Sequence, residues 1–142
     1  MPAHPHSVVA HIDGASRGNP GPAAYGVVLE SEDGAPLAKL SKTLGHTTNN
    51  VAEYQALLAA LEYAVEHQHR RLKVLTDSEL LARQIQGAYK VRSPDLKPLY
   101  EHARRTIARF ESFSIQHVRR EQNSEADGLA NLALDEAKAR AG

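Results

Sequence analysis

The 142-residue chain has no cysteine and no tryptophan. Without thiols, a disulfide framework, a thiolate metal site and a cysteine nucleophile are all excluded. It has no surplus of charge either, because 17 basic side chains balance 17 acidic ones. Nucleic-acid binders usually carry a positive excess, so any grip on phosphate must come from local clusters. No apolar run approaches membrane-spanning length, and the opening MPAHPHSVVAHID lacks a basic stretch followed by a cleavable apolar segment. The expectation is a cytoplasmic protein with no membrane partner, forming one domain over residues 1–142. Several catalytic signatures are missing as well. GNPGP is a tight loop, but there is no G-x-x-x-x-G-K-[ST], G-x-G-x-x-G, HExxH or G-x-S-x-G. Of the eight histidines, His4 and His6 fall in a frayed tail, and His67 and His69 at a helix C-terminus.

What is present reads as α/β. Ser7–Ile12 (SVVAHI) is a β-branched run ending at Asp13, followed by the glycine- and proline-dense GASRGNPGPAA, a loop by composition. Tyr25–Glu30 and Leu37–Leu44 read as two further strands separated by a turn at Glu32–Gly34, and short turns make antiparallel neighbours. From Asn50 to His67 the period changes: Leu57, Leu58, Leu61, Ala64 and Val65 have the spacing of an amphipathic helix. Thr47–Asn50 offers side chains to cap it. Leu72–Thr76 is a strand with Asp77 and Ser78 at its exit. Glu79–Ile85 is a helix ended by Gly87, Asp95–Phe110 is helical, Ser112–Val118 a strand and Glu125–Lys138 a helix. The order β-β-β-α-β-α-α-β-α predicts a mixed sheet with helices packed on it.

Most of the acids sit in turns or on polar faces, but four do not. Asp13 and Asp77 stand where apolar strands end, the place where α/β sheets gather ligands. Glu53 is read in the first turn of its helix, with Leu57, Ala60 and Leu61 at i+4, i+7 and i+8. Asp127 repeats the pattern with Ala130 and Leu134 at i+3 and i+7. A carboxylate on a core-facing stripe is costly unless paired, and a helix N-terminus returns only about 0.3–1 kcal/mol. Each acid alone has an ordinary alternative, an Asx turn or a helix-start charge. Together they point to a shared cation site, and oxygen ligands select a hard ion, Mg²⁺ with Mn²⁺ as substitute.

Four segments, Asp13–Pro22 (DGASRGNPGP), Thr47–Leu61 (TTNNVAEYQALLAAL), Thr76–Leu80 (TDSEL) and Asn123–Asn131 (NSEADGLAN), together resemble the type 1 ribonuclease H family over nearly the whole chain. The resemblance implies a five-stranded sheet with its first three strands antiparallel, and cleavage of the RNA strand of RNA–DNA hybrids to 5′-phosphate and 3′-hydroxyl ends. It implies that Asp13, Glu53 and Asp77 hold one Mg²⁺, and that Asp13 and Asp127 hold a second. Two such ions about 3.5–4 Å apart would activate the attacking water and stabilise the leaving oxygen. It places Gly14, Ala15 and Ser16 along the RNA backbone, where the 2′-OH marks ribose. Asn19, Thr48, Asn49 and Asn50 would contact the hybrid, with Asn19 and Thr48 on a DNA-strand phosphate; helix capping is the alternative for Asn49 and Asn50.

Three departures from the family stand out. Glu79 replaces a glutamine common two residues after the third acid. The loop between Val118 and Asn123 holds only Arg119, Arg120, Glu121 and Gln122, with no histidine; His117 is read as ending the strand. Arg119 and Arg120 are therefore the candidate auxiliary groups, able to steady a phosphate but not to act as a base. GAYKVRSPDLKP stands where other members carry a basic, tryptophan-containing protrusion. Lys90, Arg92 and Lys97 offer part of a basic surface or simply a solvated face. The chain resembles the compact subgroup of archaea and some bacteria. A monomer is expected. Double-stranded RNA remains open as a second substrate, and a non-cutting binding domain or a structural metal protein are the competing classes.

Overall fold

The computed structural model describes residues 6–141, so His4 lies outside them. Five strands form one sheet in the order β3-β2-β1-β4-β5. β1 (Ser7–Ser16), β2 (Gly21–Ser31) and β3 (Pro36–Thr47) are antiparallel in succession, whereas β4 (Arg71–Thr76) runs parallel to β1 and β5 (Ser112–His117) parallel to β4. The helices are α1 (Asn49–Glu66), α2 (Glu79–Ile85), α3 (Lys97–Ile107) and α4 (Ser124–Ala141), the last entered through a 3-10 turn at Arg120–Asn123. The expected order of elements and the antiparallel first three strands are both found.

The first two strands are longer than composition suggests. Residues 14–24 were expected to be a loop, yet β1 and β2 stay paired through Asp13↔Gly26, Gly14↔Tyr25, Ala15↔Ala24 and Ser16↔Ala23. Only residues 17–20 turn, closed by Arg17 N–H donating to Pro22 O at 2.8 Å. Asp13 is thus inside a strand, three residues before its end, rather than at its terminus. Glycine here marks close approach of another backbone rather than a turn. A Cβ on Gly14 would lie 2.4 Å from Ala52 C and Glu53 N of α1, and one on Gly26 would lie 2.2 Å from Ala126 O of α4. Successive strand residues face opposite sides. Gly14 shares its side with Ile12, Ala10 and Val8, whereas Gly26 is paired with Asp13 on the other. The helices α1 and α4 therefore press on the two faces of the sheet at neighbouring points, α1 at Gly14 of β1 and α4 at Gly26 of β2, the ladder partner of Asp13.

The core lies on the α1 face. Val8, Ala10, Ile12, Val27, Leu29, Leu72 and Val74 of the sheet are buried against Tyr54, Leu57, Leu58, Leu61 and Ala64 of α1, with Leu81, Ile85 and Ala103 of α2 and α3 completing it. Thr48 caps α1, its Oγ1 accepting from Val51 N at 3.2 Å. Because α1 begins at Asn49, Glu53 lies in its second turn, and no acid occupies the first. The helix terminus therefore does not explain Glu53. The helix α3 is shorter than expected, starting beside Pro98, which suits a first turn because it has no N–H to leave unpaired. His67 caps the end of α1, and His69 lies beyond Gln68 (φ 59°), its N–H donating to Ala64 O of that helix at 2.8 Å and its buried ring stacked on Tyr63.

Candidate active site

Glu53 and Asp13 are 3% and 5% exposed, which is unusual for carboxyl groups. Asp13 comes from β1, Glu53 from α1 and Asp77 from the residue after β4. One oxygen of each lies within 4.8 Å of the others. Among the described residues, no lysine or arginine forms an ion pair with any of the three. Glu53 accepts a hydrogen bond from Gly14 N–H, which fastens α1 to β1 at the point where the glycine lets them touch.

The electrostatic consequence is direct. Burial first, and then the neighbouring Glu53, Asp77 and Asp127, together push the Asp13 carboxyl up to about 10. Burial raises Glu53 to about 8 against the pull of the Gly14 hydrogen bond. Three oxygen donors that close, two buried and none paired with a cation, fit a hard divalent ion and little else.

Asp127 approaches from the opposite face. It is half-buried on the first turn of α4, outside the trio's 4.8 Å, yet close enough to raise the Asp13 carboxyl. The four acids line one open cleft of about 530 Å³. Gly14, Ala15, Ser16 and Asn49 also line it, as do Arg119 and Arg120, which are exposed. Asn19, Thr48 and Asn50 do not. Thr48 is occupied as the α1 cap, and Asn19 Oδ1 accepts from Asn49 N at 3.1 Å, joining the β1–β2 turn to the start of that helix. Glu79, Lys90, Arg92 and Lys97 are exposed and lie outside the cleft lining.

Four residues of the site escaped the sequence reading. His117 does end β5, but it also lines the cleft. Ser78 lines it too, while its Oγ caps α2 by accepting from Leu81 N at 3.1 Å. Asn123, 1% exposed, donates through Nδ2 to Ile12 O at 2.6 Å and so ties the entry to α4 to the residue before Asp13. Asn131 lines the cleft and donates to Asp127. A signal for the two asparagines was present: both delimit the segment NSEADGLAN.

A family model described as Reverse transcriptase-like matches residues 11–133. The Ribonuclease HI of Halobacterium salinarum is 48% identical over 130 residues, covering 92% of this chain. The chain belongs to the type 1 ribonuclease H family. The solved N-terminal RNase H domain of Rv2228c from Mycobacterium tuberculosis superposes with a TM-score of 0.91 at 43% identity, covering 96% of this chain and 99% of that one. LC11-RNase H1, solved in complex with an RNA/DNA hybrid, superposes with a TM-score of 0.87 at 41% identity, covering 92% and 98%. This chain spans 65% of the length of the Halobacterium protein and 36% of the full mycobacterial one.

Proposed function

We propose that this ribonuclease H domain hydrolyses the RNA strand of RNA–DNA hybrids, using Asp13, Glu53, Asp77 and Asp127 as its catalytic and metal-binding carboxylates. One observation carries the reading: four acids from four separate elements converge on one open cleft, with three of their oxygens within 4.8 Å. Asp13, Glu53 and Asp77 would hold one Mg²⁺, and Asp13 with Asp127 a second; Mn²⁺ would serve as substitute. Bound there, such ions supply an activated water and positive charge at the leaving oxygen. Asp13 would be the shared ligand, because it belongs to the three-acid cluster and its ladder partner Gly26 lies against the first turn of α4, which carries Asp127.

The protein's own groups do the rest. The backbone of residues 14–16, the Ser16 hydroxyl and the Asn49 amide line the cleft beside the acids and offer donors and acceptors to a ribose 2′-OH. Asn19, Thr48 and Asn50 sit just outside the lining, where a second strand of the duplex would pass. Arg119 and Arg120 steady a phosphate electrostatically. All four acids come from a single chain, so a monomer suffices, and residues 1–142 act as one domain.

The test is cleavage of labelled RNA–DNA hybrid, double-stranded RNA, duplex DNA and single strands, with Mg²⁺, with Mn²⁺ and with EDTA. Hybrid cleavage that EDTA abolishes is the expected result; double-stranded RNA is the discriminating second arm. Cutting of duplex DNA as fast as hybrid would sink the reading.

A further inference from the structure

The carboxylate of Asp127 is held by a side chain of its own helix, Asn131, one turn on. Asn131 Nδ2 donates to Asp127 O at 3.0 Å and to Asp127 Oδ1 at 3.3 Å. Asn131 is in turn contacted by a residue more than a hundred positions earlier in the chain. Arg17, in the β1–β2 turn, donates through Nη2 to Asn131 O at 3.3 Å and toward Asn131 Oδ1 at 3.5 Å. The same nitrogen pairs with Asp135 Oδ1 at 2.6 Å, the next turn of α4, which anchors the guanidinium over the asparagine.

The order of donors and acceptors matters more than any one distance. An asparagine amide has an acceptor end and a donor end of nearly the same shape, and its neighbours decide which way it points. Arginine can only donate. Arg17 therefore favours the orientation with Oδ1 toward itself, and that orientation aims Nδ2 at Asp127. Turned over, the amide would set its oxygen against a carboxylate.

We infer that Asn131 is a positioning residue for Asp127, and that Arg17 sets the orientation in which Asn131 works. The inference rests on the assignment of Asp127 as a metal ligand given above. The β1–β2 turn thus helps to present the fourth acid, in addition to whatever it contacts in the substrate. Supporting partners around metal ligands commonly contribute 10–100-fold to metal affinity. Because Asn131 and Arg17 act in series on a half-exposed site, the lower end applies.

The experiment compares Asn131→Ala, Arg17→Ala, the double variant and Asp127→Asn. It has two readouts: the Mn²⁺ dependence of hybrid cleavage, and Mn²⁺ binding by electron paramagnetic resonance to protein carrying a hybrid made uncleavable with 2′-deoxyribose at the scissile position. Asn131→Ala should raise half-saturating Mn²⁺ about tenfold, with KM for hybrid unchanged and kcat largely restored at saturating metal. Arg17→Ala should shift it less, and the double variant should be no worse than Asn131→Ala alone, since the two share one path. Asn131→Gln, which keeps the donor at i+4, should recover part of the loss. An unchanged metal response in Asn131→Ala beside a dead Asp127→Asn overturns this inference alone. Additive effects of Arg17→Ala and Asn131→Ala overturn the link between them. Wild-type cleavage by Asp127→Asn overturns the underlying assignment, and this inference with it.

Discussion

Replacing Asp13 by asparagine should destroy cleavage and, in the absence of metal, make the protein more stable. Asp13 is nearly buried, and the causes raising its carboxyl to about 10 are burial first and then three neighbouring carboxylates. An unfolded aspartate ionises near 3.9. Because the folded value is the higher, the stability associated with this group is fully present below about pH 4. It is lost progressively as pH rises toward the folded value. At neutral pH, keeping Asp13 protonated against solvent costs about 4 kcal/mol at about 1.4 kcal/mol for each pH unit. That is a ceiling on what the substitution can return. Water entering the open cleft and small side-chain shifts relieve part of it in the parent, so the expected gain is about 1–3 kcal/mol. The amide of the new asparagine also offers Glu53 or Asp127 a donor where a second acid stood. For a chain of this length the gain amounts to about 3–10 °C in melting temperature.

The assay is a thermal melt of parent and variant in EDTA from about pH 5 to about pH 9, then in saturating Mg²⁺. Histidine and surface contributions are common to both proteins and cancel in the difference. The variant's advantage should be smallest at the acid end and widen with pH. Mg²⁺ should raise the parent's melting temperature more than the variant's, because a ligand that binds only the folded site stabilises it by mass action. A variant less stable than the parent throughout, or a gap that does not grow with pH, would refute the crowded-carboxylate reasoning.

Three further outcomes follow from the same geometry. Gly14→Ala sets a methyl group 2.4 Å from the α1 backbone, which has no rotamer to yield; urea melts should show a loss of about 3 kcal/mol or more. Arg120→Ala should slow single-turnover cleavage about tenfold, less than the 10²–10³ typical of a dry site because the loop is solvated. Arg119→Ala should cost less, and His117→Ala a few-fold rather than a collapse. With zero net charge and few basic groups at the cleft, hybrid affinity should fall only shallowly with salt, with a log–log slope of magnitude about 2–4; a slope near 8 would reveal a phosphate-binding face not recognised here.

Chain order and element type were legible because each element announces itself locally: β-branched runs for strands, a 3.6 period for α1, Gly87 after α2. The four acids gathered at the cleft were legible too, each read beside an expected change of element, although Asp13 lies inside β1 and Glu53 in the second turn of α1. Where the reading failed, a residue's local preference was overridden by something distant in sequence. GASRG looked like loop because glycine usually means a turn, but here the glycine is required by a helix more than thirty residues away. Glu53 reads as a first-turn residue because the apolar period is followed only from Asn50, with Thr47–Asn50 all offered as caps; Thr48 takes that role, the helix begins at Asn49, and Glu53 falls in the second turn. Asn123 and Asn131 carried no periodicity at all. Their partners are Ile12 and Arg17, over a hundred residues earlier, and no local pattern reports a hydrogen bond of that span.

The acids are therefore only half of what specifies this site; the other half is two missing side chains. Asp13 sits in the middle of a sheet, where a second acid from either flanking helix would ordinarily stop about 10 Å from the strand. Gly14 removes that spacing on one face, so α1 comes down until its backbone touches β1, and Glu53, the residue at the point of contact, arrives beside Asp13. Gly26, paired across the ladder with Asp13, removes it on the other face. The α4 residues it admits are Ala126, Leu129 and Ala130, which bracket Asp127. One strand thus receives a carboxylate from above and another from below at neighbouring positions. Asp77 needs no such device, because β4 runs parallel to β1 and delivers it directly at the strand's end. An otherwise intact set of four acids with a side chain at position 14 or 26 would keep its motifs and lose its convergence.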